Sequence, residues 1–341
     1  MSSQKPVFHY VVPGLLEAAA ATSNLSPKGS FPSLEKLLAR SEKITSDHDY
    51  PHLLANLLQI PLIPGADVPV AVLSATEMVS LEKLKGHCWI KATPVLLKPD
   101  RDRLVLHQAS TDPENQEQQE MLKRLADELK AYFSPLFSEM LPVSDSGWLI
   151  RCDTDYQITT TPLMDAVGRN IDNLLPTGDD HKRWHQVLNE VQMLLHSHNS
   201  LDAGFNALWF EGVGRLPEIN SVRSDAIALG DDNLLSVLAK WSGAGKSQTL
   251  LEVVKTGLDI DSVISAENAV MQAIHSRSEK KWLKAIHKAG HQLAEAMAML
   301  VSGELRCICV YPVNGSVYKL RRNDLLKFWK KTRSLAEIAH Q

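Results

Sequence analysis

Val7-Phe8-His9-Tyr10-Val11-Val12-Pro13-Gly14 is a run of apolar and β-branched residues closed by a Pro-Gly breaker, and it reads as a buried strand entering a loop. Downstream, helical and strand patterns alternate. Ser30 to Leu38 offers a Ser cap, an early proline at Pro32 and the apolar pair Leu37-Leu38, which predicts a helix start. A short helix follows over His52 to Leu58, and Pro61, Pro64 and Pro69 break the next stretch into loop. Cys88 to Leu97 and Arg103 to His107 read as two strands joined by the polar turn Lys98-Pro99-Asp100-Arg101-Asp102. Met121, Leu122, Leu125, Leu129, Tyr132 and Phe133 recur at helical spacing, so Glu117 to Phe133 is an amphipathic helix. Trp148 to Cys152 is a strand, and Asp180 to His196 a helix with Trp184, Val187, Leu188, Val191, Leu194 and Leu195 in one stripe.

Beyond a polar break (Ser197 to Gly204), strands are expected over Phe205 to Phe210 and Asp225 to Leu229, then a helix over Asn233 to Trp241. Glu279 to Val301 is a long helix ended by Gly303, and Arg306 to Tyr311 with Val317 to Leu320 makes a strand pair before a last helix through Trp329. Strands alternating with helices argue an α/β fold with a largely parallel central sheet. The block from about residue 91 to 200 reads as a separate unit set into it.

At 341 residues the chain can bury a sizeable core, and 44% hydrophobic with 22% charged residues places it among globular proteins. A formal net charge of −4 gives no basic footprint for nucleic acid. The basic stretch Lys319 to Lys331 also holds Phe328 and Trp329, and reads as a solvated amphipathic helix face. The start has no signal-peptide core, and no window approaches the roughly 18 apolar residues of a spanning helix, so a cytoplasmic protein is expected. Four scattered cysteines make no disulfide framework.

Ser242-Gly243-Ala244-Gly245-Lys246-Ser247 imitates a phosphate-binding loop, but Lys240 stands where the first glycine is needed. It also leaves a helical run instead of a strand, so it reads as a decoy. His181 and His185 share a helix face, yet Lys182 holds the place of a metalloprotease glutamate; His196 and His198 flank a serine. Cys307-Ile308-Cys309 reads as alternating on a strand, its two sulfurs on opposite faces as buried small apolar residues. No Gly-x-Ser-x-Gly elbow occurs. Arg101 and Arg103 lie in the hairpin turn, Arg151 ends a strand, Arg169 falls in a helix and Arg215 follows the Gly-rich turn; planar guanidinium groups converging from loops would suit a phosphate or carboxylate, and solvated salt bridges are the competing reading.

Gly204-Phe205-Asn206-Ala207-Leu208-Trp209-Phe210-Glu211-Gly212-Val213-Gly214-Arg215-Leu216-Pro217 resembles the strand and turn of archaeal-type cofactor-independent phosphoglycerate mutases. It is closer still to proteobacterial regulatory proteins of the RpfE type. Pro99 to Leu104, Thr160 to Leu163, Gly168 to Asp172, and Leu188-Asn189-Glu190-Val191-Gln192-Met193-Leu194-Leu195-His196 fit that second family in order, over residues 90 to 220.

The mutase resemblance implies an alkaline-phosphatase-like α/β core, its sheet flanked by helices on both faces, with a smaller inserted α+β domain. On this chain that means a core over 6–90 and 201–335 and an insertion over 91–200. The resemblance also implies two divalent ions, manganese or zinc, around a Ser or Thr nucleophile, the first ligand being an aspartate directly after strand one. Pro13 stands there, and the later Asp-x-x-Gly-His motif has only His287-Lys288-Ala289-Gly290-His291 to answer it. Hard cations need clustered oxygen ligands in register. The expectation is therefore a regulatory or ligand-binding protein with no metal and no catalytic residue. Arg101, Arg103, Arg151, Arg169, His196, Asn206 and Arg215 are its candidate anion-binding set, for a small phosphorylated or carboxylate metabolite. Neither nucleic acid nor membrane is expected as a partner. The alternative is a mutase or phosphatase with rearranged ligands.

Overall fold

The computed structural model describes residues 5–17, 29–46, 48–63, 65–109, 115–143, 147–197, 204–218, 225–256 and 260–339. The strands are β1 (Val7–Val11), β2 (Glu42–Thr45), β3 (Cys88–Asp100), β4 (Arg103–Gln108), β5 (Phe137–Val143), β6 (Gly147–Cys152), β7 (Ala207–Arg215), β8 (Ala226–Leu229), β9 (Gly245–Ser247), β10 (Ser262–Ala266), β11 (Cys307–Tyr311) and β12 (Ser316–Arg321). The helices used below are α1 (Pro32–Arg40), α2 (Tyr50–Leu57), α3 (Val70–Ala75), α4 (Gln116–Tyr132), α5 (His181–Ser197), α6 (Asn233–Ser242), α7 (Ala269–His275) and α8 (Glu279–Ser302).

The chain folds as two compact units, Met1–Pro61 with Ile219–Gln341, and Leu62–Glu218. The first holds a sheet of order β2-β12-β11-β1-β10-β8-β9. From β11 to β9 every pairing is parallel, and β12 and β2 close one edge antiparallel. β1 is apolar except for His9 because it is central, with β10 and β11 on its two sides. On one face Phe8, Tyr10, Ile308, Val310 and Val263 meet α1, α7 and α8, whose buried stripe runs Trp282, Ile286, Ala289, Leu293, Ala296 and Leu300. Each fully buried large apolar side chain there contributes about 1.5–3 kcal/mol. α8 starts where Ser278 Oγ accepts from Lys281 N and stops at left-handed Gly303. α6 packs on β8 and against α2, outside that core. The result is a mixed α/β unit with a central sheet and helices on both faces.

The second unit is built on β3, thirteen residues long. β7 runs antiparallel along one edge, while β6 takes the first half of the other edge and β4 the second half. β5 adds to β6. α4 and α5 cover the face carrying Cys88, Ile90 and Ala92, with Trp184 and Phe137 at its centre.

The insertion is larger than 91–200. β3 begins at Cys88 and β7 ends at Arg215, so both belong to the second sheet, and α3 packs on β7 through a backbone approach at Gly212. Gly212 has φ +67, and a Cβ there would stand 2.9 Å from Ala71 N. Its unit therefore begins at Leu62, where the sequence reading had assigned the chain through residue 90 to the core.

Smaller corrections have local causes. No side-chain bond of Ser30 caps α1; the cap residue is Phe31, and the Glu35 carboxylate instead accepts from Gly29 N at 2.8 Å. α2 starts earlier than His52, where Asp49 caps it. The last basic stretch is a short 3-10 turn, Arg322–Leu326, and Phe328 and Trp329 are exposed. The polar break's residues 198–203, Pro64 and His198 lie outside the described residues.

Candidate functional site

The seven anion candidates lie in the second unit and do not converge. Asp100 pairs with Arg103 at one end of β3, and Arg215 pairs with Cys88 at the other. Twelve residue steps of strand, at about 3.3 Å each, separate these ends by roughly 40 Å. Arg151 lies opposite Trp89 and Arg215 opposite Cys88, so the two arginines point to opposite faces of the sheet.

Five of the seven have local partners instead. Arg103 holds Asp100 at 2.8 Å, beside the hairpin tip where Arg101 takes a left-handed φ of +59. Arg151 Nε donates to Ser138 Oγ at 2.9 Å, with Glu139 at 3.6 Å. Arg169 donates to the Asp165 carbonyl, and exposed His196 sits in the last turn of α5. Asn206 is committed to Leu97, and Arg215 Nε reaches both oxygens of Asp155 at 2.7 and 2.8 Å. Arg103, Arg151 and Arg215 thus each form a local ion pair.

The turn that carries the resemblance is assembled by packing. Trp209 Nε1 donates to the Thr161 carbonyl, Gly212 N to Thr160 Oγ1, and Glu211 Oε2 accepts from Leu163 N. The Asp67 carboxylate accepts from Thr160 N and from its hydroxyl. Thr160 to Leu163 and the strand over Trp209 to Gly212 are thus one hydrogen-bonded block.

In open α/β sheets, ligands bind outside the carboxyl ends of the parallel strands. In the first unit that edge begins after β1, where Val12, Pro13, Gly14, Leu15 and Leu16 are all buried. Gly14 has φ +76, and a Cβ built on it would lie 2.8 Å from Ile274 Cδ1 and 3.3 Å from Met271 Cε. The space beyond the strand is filled by these α7 side chains.

Beside it the ends of β8 and β10 place a polar group that the sequence reading passed over. Asp232, two residues beyond Gly230, caps α6 through Leu235 N at 2.8 Å and accepts from Asn268 Nδ2 at 2.5 Å. Asn268 Nδ2 also donates to Tyr50 Oη at 3.1 Å, while its Oδ1 is buried with no hydrogen-bond partner. Burial raises the Asp232 carboxyl above its ordinary value and pushes the Tyr50 phenol far above its own. Glu267, next along, is ion-paired with Lys288 of α8. The signal available in sequence was Gly-Asp-Asp at the end of an apolar strand, which marks the carboxyl edge of a parallel sheet.

His287 to His291 are helical as expected, with Lys288 turned to Glu267 and exposed His291 to Glu295 at 3.6 Å. The phosphate-loop look-alike runs from α6 through left-handed Gly243 into β9, the reverse of a strand-to-helix turn. His181 Nδ1 and His185 Nε2 lie 2.6 and 2.8 Å from the carbonyls of Gly178 and Pro176. Among the described residues, no three His, Cys, Asp or Glu side chains gather as a metal set.

One reading of the cysteines is overturned. Residues two apart on a strand share a face, so Cys307 and Cys309 point the same way, towards each other. Their mutual hydrogen bond, helped by Lys319, Arg306 and Arg321, lowers the Cys307 thiol to about 7, while the same bond and burial push Cys309 up. His9, opposite Cys309 on β1, bonds Tyr311 Oη at 2.8 Å. Burial, with Lys319 and Arg306 nearby, lowers His9 to about 4.

These features define a mixed α/β protein with a central, mainly parallel sheet and a second antiparallel unit. No protein-family model matches the chain, and no curated protein matches it. Among solved structures it is similar to the PH0037 protein of Pyrococcus horikoshii, at 13% identity over 98% of this chain and 92% of that one, with a TM-score of 0.47. It is also similar to a cofactor-independent phosphoglycerate mutase from Thermoplasma acidophilum, at 14% identity over 93% and 89%, with a TM-score of 0.40. Both relationships are distant.

Proposed function

We propose that this chain is a non-catalytic ligand-binding protein of regulatory type, working in the cytoplasm, which holds a small hydroxyl-bearing metabolite at the carboxyl edge of its parallel sheet. The observation that carries this reading is the filled end of β1, where Gly14 faces Met271 and Ile274 in place of a carboxylate. A two-metal phosphoryl-transfer centre needs several oxygen ligands in register at that point. The adjoining Tyr50, Asp232 and Asn268 supply hydrogen-bonding groups suited to hydroxyls. The scattered arginines weaken the case for a phosphate clamp, so phosphorylated and carboxylate metabolites form the second arm of the test. Among the described residues no helix is long and apolar enough to cross a membrane.

A thermal-shift panel of sugars, polyols and their phosphorylated or carboxylate forms, with and without manganese and zinc, tests the reading. A ligand at 100 times its Kd stabilises the native state by about 2.7 kcal/mol. The expected result is a rise in Tm with one hydroxylated class, independent of metal, and lost in Asn268→Ala. A rise with manganese or zinc alone, and none with any metabolite, would overturn it.

A further inference from the structure

Cys88 begins β3 and Cys152 ends β6, and the antiparallel register Trp89↔Arg151 continues one step to set them directly opposite each other. Facing residues on antiparallel strands have Cα atoms about 4.5–5.5 Å apart, inside the roughly 4.4–6.8 Å range that a disulfide spans. On the other side of Cys88, β7 sets Arg215 in the same row, and opposed residues share a face. The guanidinium is half exposed, so the row runs from the buried thiols to solvent.

We propose that Cys88 and Cys152 are a reactive dithiol that exchanges with low-molecular-weight disulfides and closes a cross-strand disulfide between β3 and β6. The Cys88 thiolate attacks one sulfur of the small disulfide, forming a mixed disulfide and expelling one small thiolate. Cys152 then gives up its proton and attacks Cys88 Sγ, releasing the second small thiolate, so two electrons pass from the pair to the reagent. The assignment of roles follows the surroundings. The hydrogen bond from Cys152, a backbone bond near Tyr156 and the charge of Arg215 favour the Cys88 thiolate, whereas the bond to Cys88 and burial hold the Cys152 proton. Burial opposes the Cys88 anion, and so does Asp155, which is paired with Arg215. Cys307 and Cys309, two apart on one strand, span about 6.6 Å, at the limit of disulfide reach.

The test exposes the folded full-length protein to oxidised glutathione, quenches with acid, alkylates free thiols and maps peptides by mass spectrometry. The expected product links Cys88 to Cys152 and has lost two of its four thiols. Cys152→Ser should stop at glutathione on Cys88. Arg215→Gln and Asp155→Asn, both at exposed positions, should shift the pH midpoint of Cys88 alkylation up and down respectively. Four free thiols after exposure, a link confined to Cys307 and Cys309, or an alkylation midpoint unmoved by either substitution would each overturn the proposal.

Discussion

Asn206 directs both halves of its side-chain amide at one residue, Leu97: Oδ1 accepts from Leu97 N at 2.7 Å and Nδ2 donates to the Leu97 carbonyl at 2.9 Å. The side chain extends the β7 ladder by one rung where the backbone of β7 has not yet begun. Asn206→Ala strands a backbone donor and acceptor, and is expected to cost about 1–3 kcal/mol. Chemical denaturation checks this; an unchanged midpoint with unchanged slope would contradict it.

Arg101 sits at the hairpin tip between β3 and β4 with φ +59. A left-handed conformation costs an L-residue about 1–2 kcal/mol and glycine almost nothing. Arg101→Gly is therefore expected to raise stability, by up to about 1 kcal/mol once glycine's greater freedom in the unfolded chain is counted. A loss of stability would show that the guanidinium has a partner of consequence.

The sequence made β1, α5 and α8 readable because each is long or apolar enough for its period to show, with Pro-Gly or Gly303 marking the end. β2 was missed because Glu-Lys-Ile-Thr is an exposed four-residue edge strand with no hydrophobic pattern. The insertion boundary was misplaced because β3 and β7, each buried, look alike whichever sheet they join; only long-range pairing assigns them. The arginines suggested a cluster because sequence shows residue type but not direction, and the length of β3 keeps them apart. Asp232 and Asn268 escaped notice because their neighbourhood arises from strand order, β10 beside β8, which local reading cannot supply.

Asp232 gives a pH prediction. Its folded-state carboxyl is raised above 3.8, so ionisation is disfavoured in the folded chain. Its contribution to stability is greatest below the unfolded value and declines as pH rises through the folded one. Asp232→Asn keeps an acceptor for Leu235 N and offers a donor to the unpartnered Asn268 Oδ1. The variant should melt higher than the parent at neutral pH, with the difference closing towards pH 4. A variant that melts lower at both pH values would contradict this.

His9 works in the opposite sense. Its folded pKa of about 4 lies below 6.5, so the unfolded chain takes up the proton first. The stability from neutral His9 is complete above pH 6.5 and is lost as pH falls towards 4, by up to about 3 kcal/mol. His9→Gln should flatten Tm against pH across that window. A parallel decline in both proteins would place the acid sensitivity elsewhere.

The claim on which everything turns is that the carboxyl end of β1 holds packed methyl groups instead of metal ligands. Elemental analysis of protein purified without chelator, paired with a phosphoglycerate turnover assay in added manganese, tests it most directly. The account predicts metal far below one equivalent and no turnover; two tightly held ions with measurable conversion would contradict it.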